Sequence, residues 1–186
     1  MNRTNLIKLI LELESGFEEE ERFKSRFLEL LQTNQNCFYR KSLERHITAS
    51  AWIVDEELEN ALLIYHSKLN RWLQPGGHAD GNEDLFSVAK KEVIEETGID
   101  YRPKLKSIFD IDIHTIPEHK GIPKHDHYDV RFLMAVSKDT SVQRNNESKD
   151  ISWKPLEVIS KSPEIDRSIK RMIEKTRQLR GKIEFI

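Results

Sequence analysis

The sequence predicts an α+β fold: one mixed α and β domain over residues 46–186, with an N-terminal helical extension over residues 1–45. Three observations predict it. Apolar residues recur at three- and four-residue spacing before residue 32 and again after residue 162, the mark of helices packed on one face. Alternating runs rich in strand formers fill the stretch that begins at His46. The chain has 186 residues, within the roughly 100–200 of a single domain, and shows neither an internal repeat nor a low-complexity linker.

Taken in order, Leu6, Ile7, Ile10, Leu13 and Phe17, then Phe23, Phe27, Leu30 and Leu31, predict helix over residues 4–31, broken in two at Ser15-Gly16. HITASAWIV and ALLIYH, on either side of a polar bend at Asp55–Asn60, predict a hairpin-like pair of strands. WLQPGG predicts a turn. Residues 83–97 predict a helix closed by Gly98, which suits the left-handed backbone of a C-cap. LKSIFDIDIHTI, YDVRFLMAV and KDISWKPL predict three further strands, the first two separated by the polar loop PEHKGIPKHDH. Ser162-Pro163-Glu164 predicts a last helix start, with Ser162 as N-cap and Pro163 at the first position. Ile165, Ile169, Met172, Ile173 and Leu179 give that helix one apolar face.

Composition narrows the partners. Thirty Lys and Arg against 32 Asp and Glu leave a formal charge of −2, so no global field points to a nucleic acid polymer or an anionic membrane. The N-terminal apolar stretch is broken by Lys8, Glu12 and Glu14, unlike a secretory signal, and no run approaches the roughly 18 apolar residues of a membrane span. Cys37 is the only cysteine, which excludes an internal disulfide and suits the reducing cytoplasm. The helical extension offers apolar surface for a homodimer contact or for packing against its own domain.

The near-neutral average hides one acidic segment. Residues 77–100 hold seven acids (Asp80, Glu83, Asp84, Glu92, Glu95, Glu96 and Asp100) against Lys90 and Lys91, a local charge of 2 − 7 = −5. In the predicted helix, Leu85, Phe86, Ala89 and Val93 form an apolar stripe. Glu92, Glu95 and Glu96 at i, i+3 and i+4 share a face that borders it. Like charges at this spacing repel by about 0.2–0.5 kcal/mol per pair. Lying in the last turns, they also oppose the helix dipole by another ~0.3–1 kcal/mol each. A divalent cation reverses both costs, and hard carboxylate oxygens suit Mg²⁺ or Mn²⁺. An E-x-x-E-E string alone fits a solvated surface helix equally well.

The wider spacing is more specific. Gly77 is followed after five residues by Glu83; seven residues later come Lys91-Glu92-Val93, then Glu95, Glu96, Gly98 and Ile99. This closely resembles the Nudix box, G-x5-E-x7-R-E-U-x-E-E-x-G-U with U aliphatic, departing only at Lys91, where the family has Arg. The resemblance implies an α/β/α sandwich around a mixed sheet. It also implies a Mg²⁺- or Mn²⁺-dependent hydrolase that splits a diphosphate linkage in a nucleoside diphosphate derivative, a small-molecule substrate, by water attack on phosphorus. Carried over by position, Glu92 and Glu96 are the principal metal ligands, and Glu95 is a further ligand or the general base. The Gly77 carbonyl reaches a metal, Glu83 and Lys91 brace the loop and helix, and Gly98 closes the box. Lysine at position 91 forgoes the bidentate fork of arginine.

The histidines carry a second resemblance. His46 precedes a strand, His78 follows Gly76-Gly77, and His127 and Asp129 lie two apart. This is similar to isopentenyl-diphosphate isomerase, a Nudix-fold enzyme with a histidine-and-glutamate metal site. His46, His78, His127 and Asp129 are therefore candidates for a second, transition-metal site, or else for polar contacts to substrate phosphate. Gly76 stands where the isomerase has its catalytic cysteine, and the isomerase lacks an intact box, so hydrolysis is favoured over isomerisation. A non-catalytic ligand-sensing module would be expected to lose box carboxylates, and all four glutamates remain. Arg131, Lys120 and Lys124 are candidates to meet phosphate. Trp52, Tyr65, Trp72, Phe109, Tyr128 and Trp153 are candidates to stack on a base, or else core residues.

Overall fold

The structure is a computed structural model and describes residues 1–100, 107–119, 121–146 and 148–182. Its elements are α1 (Arg3–Glu12), α2 (Glu18–Thr33), β1 (Arg45–Val54), β2 (Asn60–His66), β3 (Arg71–Leu73), β4 (Gly76–His78), α3 (Leu85–Thr97), β5 (Ile108–Ile116), β6 (His125–Ala135), β7 (Ser148–Pro155), α4 (Leu156–Lys161) and α5 (Arg167–Leu179). The strands hydrogen-bond in the order β3-β2-β1-β6-β5, with β4 also on β1 and β7 on β2. This is the mixed α and β fold the sequence predicts. Among the described residues no helix is long and apolar enough to cross a membrane.

The chain forms two compact units, and β1, α3 and β6 each run through both. The first unit comprises Met1–Ser50, Gly76–Ala89 and Leu105–Phe132. Here α1 starts at Asn2, whose side chain accepts from Asn5 N–H at 2.9 Å, and it buries Leu6 and Ile10. The Ser15-Gly16 break is present. Four glutamates open α2, where the helix dipole favours anions. At its far end the Arg3 guanidinium donates to the Leu31, Asn34 and Gln35 carbonyls (2.7, 3.0 and 2.8 Å). Phe27 packs edge-on against Tyr128, with centroids 5.0 Å apart. Glu20 of α2 is fully buried, and its carboxylate accepts the Ser15 hydroxyl and, at 3.1 Å, the Ile111 N–H of β5. β5 and β6 form an antiparallel hairpin in which Asp112 faces Asp129, His114 faces His127 and Ile116 faces His125.

The second unit comprises Ala51–Pro75, Lys90–Lys104 and Leu133–Ile186. The polar bend between β1 and β2 is organised by Asp55, whose Oδ1 accepts from the Glu59 and Asn60 N–H groups at 2.7 and 2.8 Å. β7 pairs along the length of β2, from Asn60↔Pro155 to His66↔Ser148. Trp52 donates its indole N–H to the Thr176 hydroxyl at 2.9 Å, tying β1 to α5, and both side chains are fully buried. Ile169, Met172 and Ile173 are the buried face of α5.

Several boundaries differ from the sequence expectation. WLQPGG does not simply turn: three-residue strands β3 and β4 flank Gln74-Pro75. β6 begins at His125 rather than Tyr128, because the polar residues before Tyr128 pair in register with β5. α3 begins at Leu85 rather than at residue 83. Ser162 does not start the last helix but ends α4, donating its N–H to the Ile159 carbonyl at 3.0 Å. The true N-cap of α5 is Asp166, which accepts from Ser168 N–H at 2.7 Å.

Candidate functional site

The box helix behaves as its pattern requires. Leu85, Phe86, Ala89 and Val93 are buried, and Gly98 takes φ +75° while its N–H bonds the Ile94 carbonyl at 2.9 Å. The three carboxylates of the last turns are graded across the edge of that stripe. Glu96 is 5% exposed, the Glu92 side chain 17% and the Glu95 side chain 53%. They therefore line the border between core and solvent. Lys91 lies over the same turns and donates to Glu95 Oε2 at 3.0 Å and to Glu92 Oε1 at 3.5 Å. These contacts, the Glu95 bond foremost, raise the Lys91 pKa above its ordinary value. Lys90 pairs with Asp100 at 2.8 Å. In the first unit, Gly77 faces Ala49 in the β1–β4 ladder. Glu83 accepts the backbone N–H of Arg3 at 2.9 Å and lies 3.8 Å from its Nε.

The histidines form one cluster in the first unit. His46 enters from β1, His78 from β4, His114 from β5, and His125 and His127 from β6. His127 stands among the other four, with ring centroids 4.7 Å from His46, 5.0 Å from His78 and from His125, and 5.4 Å from His114. One ring nitrogen each of His46, His125 and His127 lies within 4.8 Å of the others. Burial favours the uncharged imidazoles: it pushes His46 down, His78 down to about 4 and His127 down to about 2, with neighbouring cationic groups adding to the effect. Three expected members, His46, His78 and His127, are thus brought together. Sequence reasoning misses His125; its signal is the alternation His125, His127, Asp129, Arg131, which puts four polar groups on one face of a strand.

Asp129 occupies the next place along that face and is held elsewhere. Its carboxylate accepts the hydroxyls of Thr48 (3.0 Å) and Ser50 (2.7 Å) and the Nε–H of Arg131 (2.9 Å). Arg131 also meets Asp110 and Asp112, each at 3.2 Å, and all four charged groups are buried. The acids hold its guanidinium charged despite burial. Arg131, expected as a phosphate contact, is therefore already fully engaged by acids. Lys124 is exposed on the β5–β6 loop, and Lys120 lies outside the described residues. Among the aromatic candidates, Trp52, Tyr128 and Phe109 are core. Tyr65 and Trp72 pair edge-on at 5.3 Å, with the Lys154 ammonium 4.1 Å above the Trp72 ring. Gly76 admits no side chain: a Cβ there would lie 2.4 Å from Ser50 Cβ and 2.9 Å from the Ala49 carbonyl oxygen.

Comparison with known proteins agrees with this picture. The Nudix domain profile matches residues 44–176. The phosphatase NudJ of Shigella boydii is 28% identical over 123 residues, 63% of this chain and 72% of that protein. The NudJ of Escherichia coli K12 is 30% identical over 94 residues, 49% of this chain and 54% of that protein. Among solved structures, a MutT protein from Methanosarcina mazei Go1 superposes with a TM-score of 0.59 at 24% identity, covering 73% of this chain and 94% of its own. An Ap4A hydrolase from C. elegans gives 0.55 at 22%, covering 74% and 98%. The fold is shared with both. With the profile spanning most of the chain and the box carried by α3, this protein belongs to the Nudix family.

Proposed function

We propose that the protein is a Mg²⁺- or Mn²⁺-dependent pyrophosphohydrolase that cleaves the diphosphate linkage of a nucleoside diphosphate derivative. The observation that carries this reading is the graded carboxylate set on α3, in which Glu96, Glu92 and Glu95 pass from buried to exposed within the last turns of one helix. These are hard oxygen donors beside an apolar wall, the donor set that Mg²⁺ and Mn²⁺ take. Glu92 and Glu96 would hold the metal. The ion supplies neutralisation of the charge that develops on phosphate oxygens and a lowered pKa for bound water.

The chain's own groups do the rest. Glu95 is the most exposed of the three, and Lys91 fixes one of its oxygens. Its other oxygen takes the proton of the attacking water. Glu83 and Gly98 set the two ends of the loop and helix, through the Arg3 contact and the positive φ respectively. The closed space at Gly76 disfavours a reaction that needs a catalytic cysteine there. The relatives' names, a phosphatase and an Ap4A hydrolase, support the same class of chemistry. Cys37, buried and unpaired, suits a cytoplasmic setting. The test is a panel of nucleoside triphosphates, dinucleoside polyphosphates and nucleotide sugars with Mg²⁺ or Mn²⁺, the products identified by mass. Glu96→Gln abolishes turnover with the circular dichroism unchanged; retained turnover refutes the metal assignment.

A further inference from the structure

We infer that His46, His125 and His127 form a separate site for one divalent transition-metal ion, with Zn²⁺ the best-fitting ion. The inference does not rest on the hydrolase reading, because its ligands share no residue with the box. It starts from tautomers. His46 Nδ1 lies 3.1 Å from the Ser42 carbonyl and His125 Nδ1 lies 2.7 Å from the Pro123 carbonyl. A carbonyl only accepts, so each Nδ1 carries the proton, which leaves Nε2 as the ring nitrogen available to a metal. An imidazole held at Nδ1–H by a backbone carbonyl is how metal-ligating histidines are oriented.

Among the described residues no protein donor satisfies the lone pair of His46. Its Nε2 is buried with no hydrogen-bond partner among the described residues, and the residue is only 3% exposed. An orphaned buried acceptor costs about 1–3 kcal/mol. His125 Nε2 and His127 Nε2 face one another at 3.2 Å. Two imidazole nitrogens on a tetrahedral zinc at about 2.0–2.1 Å stand roughly 3.3–3.4 Å apart, so this pair already has the spacing of two ligands on one ion. Three neutral nitrogens select a borderline-soft transition ion over Mg²⁺. Three protein ligands leave a fourth position for water or a substrate oxygen. His78 stands beside it, its centroid 5.1 Å from His46 and 5.0 Å from His127.

The experiment uses the full chain with affinity tags removed. Elemental analysis of the protein as isolated is followed by stripping with a chelator and by titration with Zn²⁺ against a chromophoric competitor. Co²⁺ loading then reports coordination through its ligand-field bands. The expected result is one ion per chain with the strong visible bands of a four- or five-coordinate nitrogen site. Zn²⁺ affinity should fall in His46→Gln and in His127→Gln by more than the roughly 10–100-fold that losing an outer-shell partner costs. Affinity should be unchanged in His66→Gln and in Glu96→Gln, which separates this site from the box. Wild-type protein that binds no Zn²⁺ at micromolar concentration overturns the inference. So do bands of an octahedral oxygen site, and so does affinity that survives in folded His46→Gln and His127→Gln. Should either variant fail to fold, the wild-type stoichiometry and Co²⁺ spectrum still decide.

Discussion

Replacing Arg131 by leucine removes a buried guanidinium from a set of three buried acids. The guanidinium lies 2.9 Å from Asp129 and 3.2 Å from each of Asp110 and Asp112. At an effective dielectric of about 20, one such ion pair is worth about 5–6 kcal/mol of gross attraction. Repulsion among the acids and the cost of desolvating all four groups cancel most of the sum. What survives on breaking a buried pair is about 3–5 kcal/mol, because the partner carboxylates stay buried without that guanidinium. Against a total stability of roughly 5–15 kcal/mol, that leaves Arg131→Leu marginal. Urea denaturation followed by circular dichroism is the assay: with a slope of about 2 kcal/mol/M, the midpoint drops by about 1.5–2.5 M. The triple variant Arg131→Leu, Asp110→Asn, Asp112→Asn regains part of that stability, since two of the stranded charges are gone. A destabilisation below about 1 kcal/mol in the single variant, or no recovery in the triple, refutes the claim that the network is held by buried charge.

Three further outcomes are expected. Thr176→Val strands the buried Trp52 indole N–H and costs about 1–3 kcal/mol, read from the urea midpoint, whereas Thr176→Ser keeps the acceptor and costs less. Gly98→Ala forces a side chain to φ +75° and brings its Cβ to 3.2 Å from Gln143 Cβ, which destabilises by about 1–2 kcal/mol in the same measurement. The Cys37 thiol is buried and its pKa is pushed up by desolvation, so in mildly alkaline buffer a disulfide reagent labels native protein far more slowly than urea-unfolded protein; equal rates would contradict its burial.

How much of this is legible in the sequence depends on which way the polar residues face. α3 is readable almost to its ends, because its apolar stripe follows the helical period and Gly98 supplies the left-handed stop. The hairpin of β1 and β2 is readable for the same reason, with Asp55 and Asn60 marking the bend. The start of β6 is not: His125 and His127 turn polar groups inward, and a hydrophobic pattern reads an inward polar run as loop. β4 has three residues, two of them glycine, too few to show alternation. Ser162-Pro163 has the composition of a helix start, yet Asp166 takes the N-cap because α4 runs up to Ser162 and uses its N–H. The histidine cluster is half visible. His46, His78 and His127 announce themselves, but alternation along β6 brings in His125, cross-strand register brings in His114, and the pull of Arg131 engages Asp129.

The bond from Ile111 N–H to Glu20 also bears on solubility. β5 closes the strand order at one end, and the edge of a sheet is a template for any other extended chain. Glu20 sits on that rim as a gatekeeper, filling a main-chain donor with a carboxylate that α2 carries in. A chain trimmed to residues 44–176, the span of the family match, would lose this guard along with Phe27 and Leu30. Such a fragment would present an open strand edge beside uncovered apolar surface and would self-associate in proportion to its concentration, even with every box glutamate in place.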